Sequence, residues 1–243
     1  MQKNLRLINS KKIMLIILLP FLISCSQEGS IRSKITTSEV LDVQTTAEDA
    51  VELYNLGVYY RDGIGGYKKD INKSIEFFLR SAEKENIEAQ YNLGVIYSDG
   101  ENIKPDYMLA LHWLQKAADR GYAPAQNNLA ALYYNGEGGI EIDYNKALKL
   151  IEKSYKQGYT PAKINLGSTY FYGRGVSEDL VLAAKYYEEA AEDGDGDAQL
   201  IIAQFYRDGV GVSQNLDKSI VWLKKAAKNG NVEAIQYVKE LEN

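Results

Sequence analysis

The chain is poor in the side chains that most chemistry needs. Its 243 residues hold one cysteine, Cys25, and one histidine, His112. A lone cysteine excludes a disulfide within the chain, and the pair cannot supply a Cys/His metal cluster. His112 stands beside Trp113 in a helical pattern. It reads as a surface or groove residue and not as a base, which leaves no catalytic constellation and no metal site. Glycine-rich stretches such as Gly63-Ile64-Gly65-Gly66 and Gly173-Arg174-Gly175 follow helical patterns, and no Gly-Lys-Ser/Thr accompanies them, so phosphate loops are excluded. Asp193-Gly194-Asp195-Gly196-Asp197 hints at calcium but lacks the downstream bidentate glutamate, and reads as a turn. No cofactor is implied. Positive charge is scarce as well. The net charge is −5, and four of the 28 basic side chains (Lys3, Arg6, Lys11, Lys12) fall in the first dozen residues, leaving 24 against 33 acidic ones. That balance argues against nucleic acid and against adhesion of the folded part to an anionic membrane. Long apolar runs are missing too. The run from Ile13 to Ile23, broken by Pro20, is too short to span a bilayer.

That run follows basic residues and ends in Leu22-Ile23-Ser24-Cys25, the layout of a secretory signal. The four residues resemble the lipobox of bacterial lipoproteins. The resemblance implies cleavage after residue 24, lipidation of Cys25, and a membrane anchor made of acyl chains. Ser26 after the cysteine implies sorting to the outer membrane, with the protein facing the periplasm. Residues 25–46, rich in Ser, Thr, Gln and Glu, read as the lipidated cysteine and a flexible tether. About 20 such residues reach roughly 25 Å.

From residue 47 to 243 the sequence repeats itself. Ala89-Gln90-Tyr91-Asn92-Leu93-Gly94-Val95-Ile96-Tyr97 returns at Ala125, Ala162 and Ala198, and one copy precedes it at Glu52. A fixed period of this size predicts a solenoid. Each unit carries two helical patterns. Helix A holds Leu-Gly-x-x-Tyr and ends at a glycine (Gly63, Gly100, Gly136, Gly173, Gly209) suited to a left-handed terminus. Helix B opens at an Asp or Asn (Asp70, Asp106, Asp143, Asp179, Asn215) suited to capping free N–H groups. Its small residues alternate with large ones, as in Ala110, Trp113, Ala117-Ala118. Gly121, Gly158, Gly194 and Gly230 close it, with Glu85 in their place in the first unit. A small residue after the helix A leucine admits helix B closely, and the tyrosine three residues on fills the gap between units. The units fall at about 52–88, 89–124, 125–161, 162–197 and 198–233, with a C-terminal cap at 234–243. The expected fold is all-α, a right-handed superhelical solenoid of about five helix-turn-helix units.

The pattern Ala-x3-Leu-Gly-x2-Tyr, followed by Lys-Ala-x2-Trp-x2-Lys-Ala-Ala-x2-Gly, resembles the Sel-one-like repeat, a relative of the tetratricopeptide repeat. Lys218-Ser219-Ile220-Val221-Trp222-Leu223-Lys224-Lys225-Ala226-Ala227-Lys228-Asn229-Gly230 matches its second half almost throughout. The resemblance implies a protein-binding scaffold without catalysis of its own. By analogy with tetratricopeptide relatives, partners dock on a concave face lined by the A helices. The candidate contact residues there are Tyr54, Arg61, Tyr91, Asn127, Tyr134, Phe171, Gln204 and Arg207; tyrosine and arginine are frequent interface anchors.

The expected partner is another protein, bound by a monomer held at the membrane through its anchor. Lipoproteins with such repeats resemble immunity proteins that neutralise phospholipase effectors of type VI secretion. An envelope or host-interaction adaptor is the alternative.

Overall fold

A computed structural model describes residues 49–100 and 102–242, so Cys25 and the tether lie outside the described residues. The described residues form eleven α-helices and no strand. The five A helices are α1 (Ala50–Asp62), α3 (Ile87–Asp99), α5 (Ala123–Asn135), α7 (Thr160–Tyr172) and α9 (Gly196–Asp208). The B helices are α2 (Ile71–Glu83), α4 (Tyr107–Asp119), α6 (Tyr144–Tyr155), α8 (Leu180–Glu192) and α10 (Leu216–Lys228), and α11 (Val232–Glu242) follows. A 3-10 turn, Glu137–Gly139, leads out of α5. The all-α repeat expected from the sequence is present. The helices group into two compact bodies, residues 49–143 and 144–242.

The ends of the helices follow from local chemistry. Each A helix stops at its glycine with φ between 63° and 75°, the left-handed region where a Cβ is costly. Asp70, Asp106, Asp179 and Asn215 accept backbone N–H donors from the first turn of their B helices. Glu85 takes the left-handed conformation that glycine takes elsewhere, with φ 68°, alone among the described non-glycine residues. The turn geometry is common to all the repeats, and the first repeat adopts it with a residue that resists it.

A buried glutamine ties successive repeats together. Gln90, Gln126 and Gln199, each next to the repeating alanine, donate Nε2 to a carbonyl near the end of the preceding B helix: Ala82, Ala118 and Ala191, at 3.3, 3.3 and 2.9 Å. Each carbonyl also accepts a backbone N–H of the closing turn, from Glu85, Gly121 and Gly194 at 3.1, 2.9 and 3.1 Å, and the glutamine amide fills its second lone pair. Lys163 replaces the glutamine in the fourth copy and pairs with Asp193 at 2.6 Å instead.

In the N-terminal body α1 packs on α2, α3 on α4, and α5 closes against α3 and α4. Leu53, Leu56, Leu93, Phe78 and Leu114 are fully buried. Each such side chain contributes about 1.5–3 kcal/mol of hydrophobic stabilisation. The small residue after the helix A leucine works as expected. A Cβ at Gly57 would stand 2.5 Å from the Phe78 ring, and one at Gly94 the same distance from Leu114 Cγ.

In the C-terminal body, α7 packs on α6 and α8, and α9 on α8 and α10. The core gathers Tyr187, Leu200, Ile202, Phe205 and Trp222, with Tyr237, Val238 and Leu241 of α11 packed against it. Tyr206 shows how the repeating tyrosine joins units: its hydroxyl donates to Glu188 of α8 at 2.7 Å, and Lys218 of α10 lies over its ring. At the register where the A helices carry Gly or Ala, α11 carries an exposed Lys239, and among the described residues no B helix follows it.

Candidate functional site

The A helices present the candidate residues differently in the two bodies. In the N-terminal body, Tyr54 and Tyr91 are half-buried. Tyr54 leans on Phe78 at 5.7 Å, and Tyr91 meets Tyr122 edge-on at 5.3 Å while Asn128 reaches its hydroxyl at 3.5 Å. Each ring is seated by a neighbour and keeps part of its surface open. Val58 and Val95, at the next register position of α1 and α3, are also half-buried. This combination of seated tyrosines and small apolar side chains suits contact with another protein, because two χ angles are already restrained before binding.

Arg61 is differently occupied. Its Nε and Nη2 clamp the Asp62 carboxylate at 2.8 and 2.9 Å, and Nη1 donates to Asn92 Oδ1 at 2.5 Å. The side chain thereby ties α1 to α3. Asn127 and Tyr134 of α5 are buried, at 5% and 4% exposure, and belong to the packing of the body.

In the C-terminal body Phe171 stays half-buried, against Tyr172 and Phe205. Gln204 and Arg207 are buried. Arg207 repeats the arrangement of Arg61, with Nε and Nη2 on Asp208 at 2.8 and 2.7 Å. Hydrogen bonding to Asp208 raises its pKa, which burial opposes. Of the eight candidates, Tyr54, Tyr91, Phe171 and part of Arg61 are open to contact. Asn127, Tyr134, Gln204 and Arg207 are spent on internal packing, a distinction that register alone does not reveal.

The aspartates that hinted at calcium each have their own partner. Asp193 accepts from Thr160 Oγ1 and Lys163 Nζ, at 2.7 and 2.6 Å. Asp195 caps α9 through Ala198 N at 2.8 Å, and Asp197 accepts from Asn231 at 2.6 Å. Among the described residues, no grouping of three His, Cys, Asp or Glu is placed to hold a metal. His112 is exposed, its ring edge-on to Trp113 at 5.0 Å.

This architecture recurs in known proteins. The chain resembles a crystal structure of a Sel1 repeat protein from Oxalobacter formigenes at 31% identity. The match covers 80% of this chain and 77% of that one, with a TM-score of 0.73. An immunity protein from Pseudomonas aeruginosa shares the fold at 24% identity and TM-score 0.53, covering 77% of this chain and 67% of that one. Cytochrome c oxidase assembly factor 7 of Danio rerio is 32% identical over 120 residues, 47% of this chain and 52% of that protein. The chain thus spans about half the length of that curated relative. The Sel1 repeat model matches residues 53–86, 87–122, 123–159, 160–195 and 196–231. The chain therefore belongs to the Sel1 repeat family, helical scaffolds that bind other proteins.

Proposed function

We propose that this chain is a non-catalytic lipoprotein, anchored through Cys25 in the outer membrane and facing the periplasm, that binds another protein with its A helices. Its most concrete form is an immunity protein that binds and neutralises a phospholipase effector of type VI secretion. The observation that carries the binding role is the pair of seated, half-open tyrosines, Tyr54 and Tyr91, at positions where the repeats differ from one another. The lipobox-like Leu22-Ile23-Ser24-Cys25 supports the location. A membrane-held inhibitor stands where a lipase must act, and tethering raises its local concentration there. The shared fold of the Pseudomonas immunity protein is consistent with this use of the scaffold.

The test is capture of a partner by the lipidated chain, followed by co-expression of chain and partner. The immunity reading expects a captured phospholipase whose toxicity in the periplasm the chain abolishes. A partner without lipase activity, or toxicity that persists despite binding, sinks it. The second reading is an envelope or host-interaction adaptor without inhibitory role, favoured by the likeness to an assembly factor. It expects a captured envelope or host protein whose activity is unchanged.

A further inference from the structure

The loop between α1 and α2 differs from the other four. Lys68 and Lys69 precede the cap Asp70, and Lys73 follows in the first turn of α2; all three are exposed. The same two positions hold Lys104-Pro105, Glu141-Ile142, Ser177-Glu178 and Ser213-Gln214 in the later copies. Ile64, at the start of the loop, is 48% exposed. The nearby acids are engaged, Asp62 by Arg61 and Asp70 by the N–H groups of Asn72 and Lys73.

The loop is also held firmly. Tyr67 N donates to Ile64 O at 3.2 Å, closing a tight turn through Gly65 and Gly66, and Ile64 N donates to Tyr59 O at 3.3 Å. Tyr67 is buried between Tyr59, stacked at 5.5 Å, and Tyr60, edge-on at 5.0 Å. An exposed isoleucine is thus fixed in the loop that carries Lys68 and Lys69, with Lys73 following in the first turn of α2, its ammonium 5.0 Å from the centre of the Tyr60 ring, at the repeat nearest in sequence to Cys25.

We infer that this loop rests on the bilayer surface, with Lys68, Lys69 and Lys73 on the phosphates of anionic phospholipids and Ile64 at the boundary of headgroups and acyl chains. The inference rests on the lipid anchor proposed above. The net acidity of the chain opposes adhesion as a whole, so the contact is local and orients the scaffold. A tether reaching roughly 25 Å keeps the loop within reach of the membrane, and a weak contact then suffices. An acidic protein segment would satisfy the lysines but leave Ile64 without an apolar setting.

The test uses the full chain, processed and lipidated at Cys25 in cells, then reconstituted into vesicles. With Cys25 acylated, an Ile64→Cys variant offers one free thiol for an environment-sensitive fluorophore. Ile142→Cys is the control, a sister-loop isoleucine 50% exposed but flanked by Glu141 and Asp143. In vesicles of phosphatidylcholine with one-third phosphatidylglycerol, the label at 64 should shift to the blue and be quenched by brominated lipid. The shift should be absent in pure phosphatidylcholine, for the label at 142, and after the combined change Lys68→Glu, Lys69→Glu, Lys73→Glu. An anchored chain whose label at 64 does not respond, or responds equally in the triple variant or at 142, overturns the loop contact and leaves the anchor intact. A chain washed from phosphatidylcholine vesicles by buffer lacks the anchor, and both ideas fall with it. A response only on addition of an acidic polypeptide assigns the lysines to a protein and overturns the membrane contact.

Discussion

Arg61 donates to Asn92 across the gap between α1 and α3, at 2.5 Å, while its other two nitrogens hold Asp62. Asn92 is buried and donates in turn to Glu88 O at 2.8 Å. The arginine is therefore a strut between repeats, with part of its side chain still exposed. Arg61→Ala leaves a buried amide oxygen without its charged donor, at a cost of about 1–3 kcal/mol. Urea denaturation of the full chain should show a lowered midpoint with an unchanged slope. An unaltered midpoint would mean that water replaces the guanidinium without loss.

Gly94 lies against Leu114, and an added methyl would sit 2.5 Å from its Cγ and 3.3 Å from its backbone nitrogen. The side chain can turn aside; the backbone cannot. Gly94→Ala should destabilise by about 1–3 kcal/mol through overpacking, despite the better helix propensity of alanine. Leu114→Ala alone should cost about 2–5 kcal/mol. The double variant should be clearly less damaged than the sum, because the second change opens the space that the first one fills. Additivity measured by thermal unfolding would refute the close-approach account.

Much of this was legible in the sequence because the repeat averages out local noise. Five copies of a glycine at the same register identify a left-handed terminus, and the acids and amide at 70, 106, 179 and 215 identify caps. The glutamines at 90, 126 and 199 repeat just as plainly, yet their role depends on where the preceding helix ends, eight residues back. The candidate site was only half readable. Register places Tyr91 and Asn127 alike, but Tyr91 is half open whereas Asn127 is buried. Likewise, Arg61 and Arg207 carry a hot-spot side chain whose Nε and Nη2 are already held by the adjacent aspartate. Spacing reports which face a residue lies on, and burial depends on neighbours that spacing does not name.

Glu85 offers a gain in stability. Its φ of 68° lies in the left-handed region that glycine occupies at every other closing position, with φ between 80° and 100°, and Arg120 donates to its carbonyl and approaches its carboxylate at 3.7 Å. The ion pair is exposed and contributes little. The left-handed backbone costs a residue with a Cβ about 1 kcal/mol. Glu85→Gly should raise the melting temperature by a few degrees, with Arg120 still held by the carbonyl. A lowered melting temperature would show that the carboxylate is worth more than the strain.

Two aspartates of one turn should respond to pH in opposite senses. Burial pushes the Asp193 carboxyl up, but hydrogen bonds from Lys163 and Thr160 outweigh it and hold the carboxyl below its usual value. A depressed folded value stabilises above the unfolded pKa and is lost as pH falls through the folded one. Burial raises the pKa of Asp195, with Asp197 adding to it, against the N–H groups of Ala198 and Asp197. Its contribution is best at low pH and weakens as pH rises through its raised value. Asp193→Asn should therefore lower stability at pH 7 and lose that effect as pH falls through the depressed folded value. Asp195→Asn keeps a capping oxygen without the buried charge, so it should be neutral or stabilising at pH 7. Unfolding free energies from pH 2 to 7 that move in parallel for the two variants would contradict this assignment.

The binding role makes the last prediction. Tyr54 and Tyr91 are seated by Phe78 and Tyr122 but retain open surface, whereas Tyr134 is buried. A tyrosine at the centre of an interface commonly contributes about 2 kcal/mol, so each single change to alanine should weaken affinity for the captured partner about 30-fold. The loss should appear in the dissociation rate, since neither side chain carries charge that would steer the encounter. Helical circular dichroism at 25 °C should be unchanged in both variants. Tyr134→Ala should behave oppositely, with a lowered melting temperature and an affinity that recovers on cooling to conditions where the variant is fully folded. Equal affinity for the wild type and the Tyr54→Ala, Tyr91→Ala pair would remove these residues from the interface, and with them the observation on which the A-helix binding face stands.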